Sequence, residues 1–247
     1  MQKDKKETIS QLIKELYGIQ VNVLPNFLCA TLTPSNQILH PGKLRSILIE
    51  LISGLLVARV YGVFKDWDGK TPYDEKELPL IYEDMDDFSA EWLVRLDNEI
   101  QAIKTAITKK YPAVDLSAVL PMQQRVIKHY GDQIKDKSTM KTVFSTNSAY
   151  ASLKFPLKKV EGGVVLDVES RFFWEDIPFG LVILKDISNM LGLNCPSTDF
   201  LIEWHQKFMG KKFIENGKLV KEALKDTGAP SRYGIKTIDH LISSEEN

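Results

Sequence analysis

The stretch Arg171-Phe-Phe-Trp-Glu-Asp176-Ile-Pro-Phe-Gly180 carries the residues best suited to chemistry in this chain. An arginine and a carboxylate stand five positions apart, set among aromatics and followed by a Pro-Phe-Gly turn. Charges in so apolar a setting must be paired or put to use, because an unpaired buried charge is costly. A structural ion pair at a helix start meets that demand as well as a ligand site does, so the segment alone leaves both readings open. A second candidate lies far upstream. His40 is held between Leu39 and Pro41, with Asn36 four residues before it. Histidine exchanges a proton near pH 7, which suits a general acid or base. A lone histidine is also often a packing residue, and His129, His205 and His240 read as surface or core side chains.

Several chemistries are absent from the sequence. No two glycines are separated by a single residue, so there is no G-x-G-x-x-G, and there is neither a P-loop nor an H-E-x-x-H. The histidines show no metal-ligand spacing. Two cysteines, Cys29 and Cys195, are too few for a disulfide framework or a cysteine zinc site and read as reduced thiols. Net charge is −1 with both signs interspersed, which offers no basic stripe to nucleic acid. The longest apolar run, Ile47 to Ala58, contains Glu50 and is shorter than the roughly 20 residues a membrane span needs. A polar N-terminus without a signal-peptide core completes the expectation of a soluble, cytoplasmic protein.

The elements that must position these residues are mostly helices. Ile9, Leu12, Ile13 and Leu16 share one face of a helix over Lys5 to Leu16, ended by Gly18. Ile19 to Val23 alternates as a half-buried strand would. Pro25 to Gly42 reads as a turn-rich connection, Lys43 to Ala58 as a buried helix, and Tyr61 to Pro72 as a loop or hairpin turning at Asp68-Gly69. Asp87 to Tyr111 is the clearest helix: Asp86, Asp87 or Ser89 can cap it, its apolar stripe is regular, and Pro112 stops it. Leu116 to Tyr130, Ser138 to Leu153, Gly180 to Leu191 and Thr198 to Met209 read as further helices, the last capped by Ser197 or Thr198. Val160 to Asp167 reads as a turn or short hairpin, and two lesser helices follow Met209. The fold class expected is mainly α, with about seven or eight helices.

Five motifs in collinear order resemble the opine dehydrogenase family, most nearly its octopine type. They are Asn36-Gln-Ile-Leu-His40-Pro-Gly42 after Leu24-Pro-Asn-Phe-Leu-Cys29, Phe64-Lys-Asp-Trp-Asp-Gly69-Lys-Thr-Pro72, and Arg171-x4-Asp176-x-Pro-x-Gly-Leu181. Glu203-Trp-His-Gln206 and Thr227-Gly-Ala-Pro230-x-Arg-Tyr-Gly234 complete the set. The resemblance implies the helical substrate and catalytic domain of a two-domain dehydrogenase, spanning 31–247. Residues 1–30 would be a short α/β remnant of the nucleotide-binding domain. It implies an oxidoreductase acting on CH–NH donors, which condenses an amino acid with pyruvate or a similar α-keto acid through an imine. NADH or NADPH would be bound mainly by a domain absent from this chain. By position, His40 resembles the catalytic acid/base, Asp176 its carboxylate partner, and Arg171 the cation that grips a substrate carboxylate. Asn36 would orient the ring or touch substrate.

Two departures from the family pattern stand out. The phosphate-binding glycines are missing, and Lys43 to Ala58 looks like an insertion of about 16 residues just after the histidine. The region Met122 to Arg125 also lacks a tryptophan expected of an arginine-binding relative, which favours a generic opine over octopine. The isolated chain is therefore expected to be inactive and to self-associate, since the remnant strand leaves an open edge. Two other readings compete: a non-catalytic helical module that binds an amino acid or a partner, and a 6-phosphogluconate-type dehydrogenase domain. The latter would use a helical lysine for which no candidate stands out.

Overall fold

A computed structural model describes residues 3–18, 25–32 and 53–243. The expected strand Ile19 to Val23, the His40 segment and most of the apolar run Lys43 to Ala58 lie outside the described residues. The described residues are mainly helical, as expected from the periodicity of the sequence. The strands form two short antiparallel hairpins among the described residues.

The first helix, α1 (Lys3–Tyr17), ends as the sequence predicts, at Gly18 with φ +68°. Its apolar stripe lies open: Ile9, Leu12, Leu16 and Tyr17 are exposed. Where a turn-rich connection was expected there is a helix, α2 (Phe27–Leu32). Asn26 opens it by accepting from the Cys29 N–H at 3.0 Å, and Leu28, Cys29 and Leu32 are buried. Next, α3 (Ser53–Phe64) carries the helix past Ala58, so Tyr61 to Phe64 are helical rather than part of a loop. Asp68 then closes a turn by accepting from the Lys70 and Thr71 N–H groups, with Gly69 at φ +87°.

The longest helix, α4 (Asp87–Lys110), matches its sequence signals closely. Asp86 caps it through the Ser89 N–H, and Trp92, Leu96, Ile100, Ile103 and Ile107 are all buried. Burying each such side chain contributes about 1.5–3 kcal/mol, so this stripe is the backbone of the core. α3 packs on α4. They approach so closely at Gly62 that an added Cβ would lie 2.0 Å from Ser89 Oγ. The following helices, α5 (Met122–Tyr130) and α6 (Met140–Ser145), are shorter than their sequence patterns suggest. Pro121 fixes where α5 can begin, and the chain after α6 turns through Ser148–Tyr150 as a 3₁₀ segment. β1 (Leu157–Val160) and β2 (Gly163–Leu166) form the expected hairpin, its turn at Glu161-Gly162.

Arg171–Asp176 is itself a helix, α7, and it packs against α3. No turn follows it. Ile177–Leu181 continues as a π-helical turn into α8 (Val182–Met190). Pro178 is the physical reason: it has no N–H to donate to the preceding turn and its ring crowds the carbonyl four residues back, so the register slips by one. α9 (Pro196–Gln206) packs on α3, α4 and α8. Its cap differs from the expectation. Neither Ser197 nor Thr198 caps it; Glu99 of α4 accepts from both their N–H groups, at 2.7 and 2.9 Å. The hairpin β3 (Ile214–Glu215)–β4 (Lys218–Leu219) and the short helices α10 (Lys221–Leu224) and α11 (Ile238–Ser243) close the chain.

Candidate functional site

Asp176 is the last residue of α7 and sits against the π turn, where the backbone is held from outside as well as from within. The Gly228 N–H donates to the Pro178 carbonyl at 3.0 Å. Gly228 approaches so closely that an added Cβ would lie 2.7 Å from Ile183 Cδ1 and 3.2 Å from Phe179 Cδ1. Thus the expected motif around Thr227 to Gly234 does reach the site, as a brace on the segment that carries Asp176.

Asp176 is 3% exposed, and its Oδ2 has no hydrogen-bond partner among the described residues. Burial raises its carboxyl pKa well above the ordinary range; the neighbouring Glu175 charge adds to this and Arg171 opposes it. A buried carboxyl without a local partner is unfavourable for stability and is the kind of group that a reaction can use.

Arg171 opens α7. It does not pair with Asp176. Its Nη2 donates to Glu175 Oε2 at 2.9 Å, one helical turn on, and its Nε is buried without an acceptor. A cation in the first turn faces the positive end of the helix dipole, and no side chain caps this helix at Ser170. Helix stability therefore does not explain an arginine here. Both paired side chains remain open to solvent, at 38% and 49%. A planar guanidinium with unused donors at an exposed edge suits a ligand carboxylate. So the structure leaves Arg171 and Asp176 on one short helix with different neighbours. His40 and Asn36 lie outside the described residues.

The other candidates separate clearly. His205 is a core residue, 2% exposed, between Trp204 and Phe173, whose ring centroid is 5.4 Å away. Its Nδ1 meets the Leu201 carbonyl at 2.8 Å, its Nε2 is buried without a partner, and burial lowers its pKa to about 4. His129 Nδ1 lies 2.8 Å from the carbonyl of Arg125, one turn back on α5. No group of three or more metal-binding side chains occurs among the described residues. Both cysteines are buried and neither forms a disulfide among the described residues.

Sequence reasoning missed two charged centres. Arg59 is fully buried and donates to the carbonyls of Leu80, Ile81 and Asp84, to Ser89 Oγ and to the Asp86 carboxylate. Lys185 of α8 pairs with Asp199 of α9 at 2.7 Å, largely out of water. Their partners come from separate elements, so no local spacing reveals them. Glu175 is a different case, since its i,i+4 spacing from Arg171 stands in the sequence.

Comparison with known proteins decides the lineage. The profile of the family "NAD/NADP octopine/nopaline dehydrogenase, alpha-helical domain" matches residues 23–209. The chain belongs to this family. It is 37% identical to tauropine dehydrogenase of Arabella iricolor, over 81% of this chain and 50% of that protein. Octopine dehydrogenase of Pecten maximus is 33% identical, over 81% of this chain and 49% of its own. A solved octopine dehydrogenase in complex with NADH and agmatine superposes with a TM-score of 0.72 at 32% identity, covering 79% of this chain and 48% of that one. The chain thus spans about half the length of the curated relatives it matches. The family match contains the Arg171–Asp176 helix and stops short of the brace at Gly228.

Proposed function

We propose that this chain is the substrate-binding and proton-handling half of an opine dehydrogenase, acting in the cytoplasm on an amino acid and pyruvate or a similar α-keto acid. The observation that carries this reading is Asp176, buried and with no partner for its Oδ2 among the described residues, on the same six-residue helix as a solvent-open arginine. In this reading Arg171 takes a substrate carboxylate. Asp176 partners the imidazole of His40, fixing its tautomer and supporting its charged form, and His40 delivers the proton as the imine is reduced. Asn36 orients the ring or contacts substrate. The absent tryptophan near Met122 to Arg125 favours an amino acid other than arginine.

NADH or NADPH would supply the hydride. The sequence offers its pyrophosphate no G-x-G-x-x-G loop, the close-approach turn that such a group needs. A nucleotide-binding domain must therefore supply that half, with the division falling at about residue 30. The open apolar stripe of α1 supports this, since four large side chains that a domain interface would cover are exposed. The same stripe gives the isolated chain a surface for self-association.

The test is amino-acid-dependent NADH oxidation with pyruvate, comparing this chain with the same chain joined to a nucleotide-binding domain from the family. Turnover is expected only in the fusion. It should fall by about 10²–10⁴-fold on His40→Ala or Asp176→Asn, the usual scale of acid–base catalysis. A fusion whose turnover survives both substitutions would sink the assignment. If the fusion folds but turns over only once Lys43 to Ala58 is deleted, the inserted run is what blocks the cleft.

A further inference from the structure

Glu175 belongs to none of the roles assigned so far, yet it is the residue that touches the candidate anchor. It stands one turn after Arg171 and accepts from its Nη2 at 2.9 Å. Both side chains remain partly open to solvent. The remaining guanidinium donors are not taken up among the described residues: Nε is buried without an acceptor, and Nη1 donates no hydrogen bond there.

We propose that Glu175 is a charge-setting and positioning residue for the substrate carboxylate, an internal carboxylate that occupies Arg171 until a ligand carboxylate competes for it. The inference rests on the reading of Arg171 as the carboxylate anchor. The reason is electrostatic. An arginine already paired with a carboxylate presents little net charge to an incoming anion, and the anion must approach Glu175 as well. At a solvent-open site the pair itself is weak, so a ligand can displace it without large cost. The arrangement would hold the guanidinium in place at the start of a helix that otherwise disfavours a cation, while keeping the site from binding small carboxylates indiscriminately.

This differs from a simple propping role in what charge removal does. Glu175→Gln keeps an oxygen acceptor of the same shape at the same place and removes only the charge. Calorimetric or NMR titration of the full chain with pyruvate, and with its uncharged methyl ester, separates the two. Glu175→Gln should bind pyruvate about two- to five-fold more tightly than wild type at low salt, the scale of an exposed ion pair. The gain should fade toward 1 M salt, where the screening length is about 3 Å. Affinity for the ester should not change. Unchanged or weaker pyruvate binding in Glu175→Gln would overturn the inference and leave Glu175 as a prop. Arg171→Gln tests the reading beneath it. If that variant binds pyruvate as wild type does, or if wild type binds none, the anchor assignment itself fails and the inference goes with it. If Arg171→Gln loses binding while Glu175→Gln gains nothing, only the inference fails.

Discussion

Arg59 and Arg171 sit on helices that pack against each other, yet the protein treats them in opposite ways. Arg59 has no solvent exposure, and its guanidinium meets three backbone carbonyls, a hydroxyl and a carboxylate. Burial lowers its pKa, while the Asp86 charge works to keep it protonated. Among the described residues Arg171 has one partner, an acidic side chain that is itself half in water, and an Nε that meets no acceptor. A guanidinium that finds partners for its donors within the fold is spent on structure: it ties Leu80 to Ser89 onto α3 and sets the cap of α4. One with idle donors at the start of a short helix is free to take the ligand role proposed for it. The difference between a structural and a functional arginine lies in how completely the fold satisfies it, and that can be read only in three dimensions.

The comparison is most sharply tested at Arg59. Replacing it with Met would leave three carbonyls without their donor and Asp86 without its counter-charge. The expected loss is about 3–5 kcal/mol, as for breaking one side of a buried polar network. Urea unfolding by circular dichroism measures it. A loss below about 1 kcal/mol, the worth of one ordinary hydrogen bond, would mean that the carbonyls find other donors and that satisfaction is no guide to role.

The next effect in size belongs to the two buried titratable groups, which again contrast. His205 has a folded pKa of about 4. Between pH 6.5 and 4 the unfolded chain takes up a proton there that the folded chain refuses, so stability falls on acidification. Asp176 acts in the opposite sense. Its folded pKa is raised, so the folded chain holds a proton that the unfolded chain has released, and acidification favours the fold through that range. Comparing wild type with His205→Phe isolates the histidine, because Asp176 contributes to both. The stability difference between them should change by about 2–3 kcal/mol from pH 7 to pH 4.5, wild type losing ground. A pH-independent difference would show that the imidazole is reached by water or by an acid.

What the sequence revealed depended on whether the cause was local. α4 was legible because its stripe, the capping Asp86 and the stopping Pro112 all lie within one segment. α2 was obscured by the prolines on either side, although Asn26 stands where an N-cap should. The π turn was read as an ordinary turn because Pro-Phe-Gly commonly makes one; only packing, with Gly228 bonded to the Pro178 carbonyl, keeps the helix continuous. The cap of α9 comes from Glu99, 98 residues before Ser197, and no local rule reaches that far. At the candidate site, Arg171 and Asp176 were picked out by type and spacing, but the pairing was not foreseen. The carboxylate one turn from Arg171 is Glu175, and Asp176, five residues on, points elsewhere on the helix.

The smallest expected effect on stability is at Arg171, and it decides whether the fold really treats the two arginines differently. Arg171→Gln removes an exposed ion pair worth at most about 1 kcal/mol. It also removes a cation from the positive end of α7, which returns a few tenths, roughly 0.3–1 kcal/mol. Glu175, half in water, can be solvated once its partner has gone, and the vacated Nε leaves no acceptor unmet. The two contributions nearly cancel, so unfolding free energy should change by no more than about 0.5 kcal/mol, as for an ordinary surface position. A gap of at least about 2.5 kcal/mol therefore separates two arginines on touching helices, in the direction opposite to their expected weight in substrate binding. Denaturation of Arg171→Gln beside Arg59→Met, under identical conditions, measures the gap directly. If Arg171→Gln costs more than about 2 kcal/mol, Arg171 is a structural group that happens to reach the surface. The idle Nε would then mark an imperfect fit rather than a site kept open for a ligand.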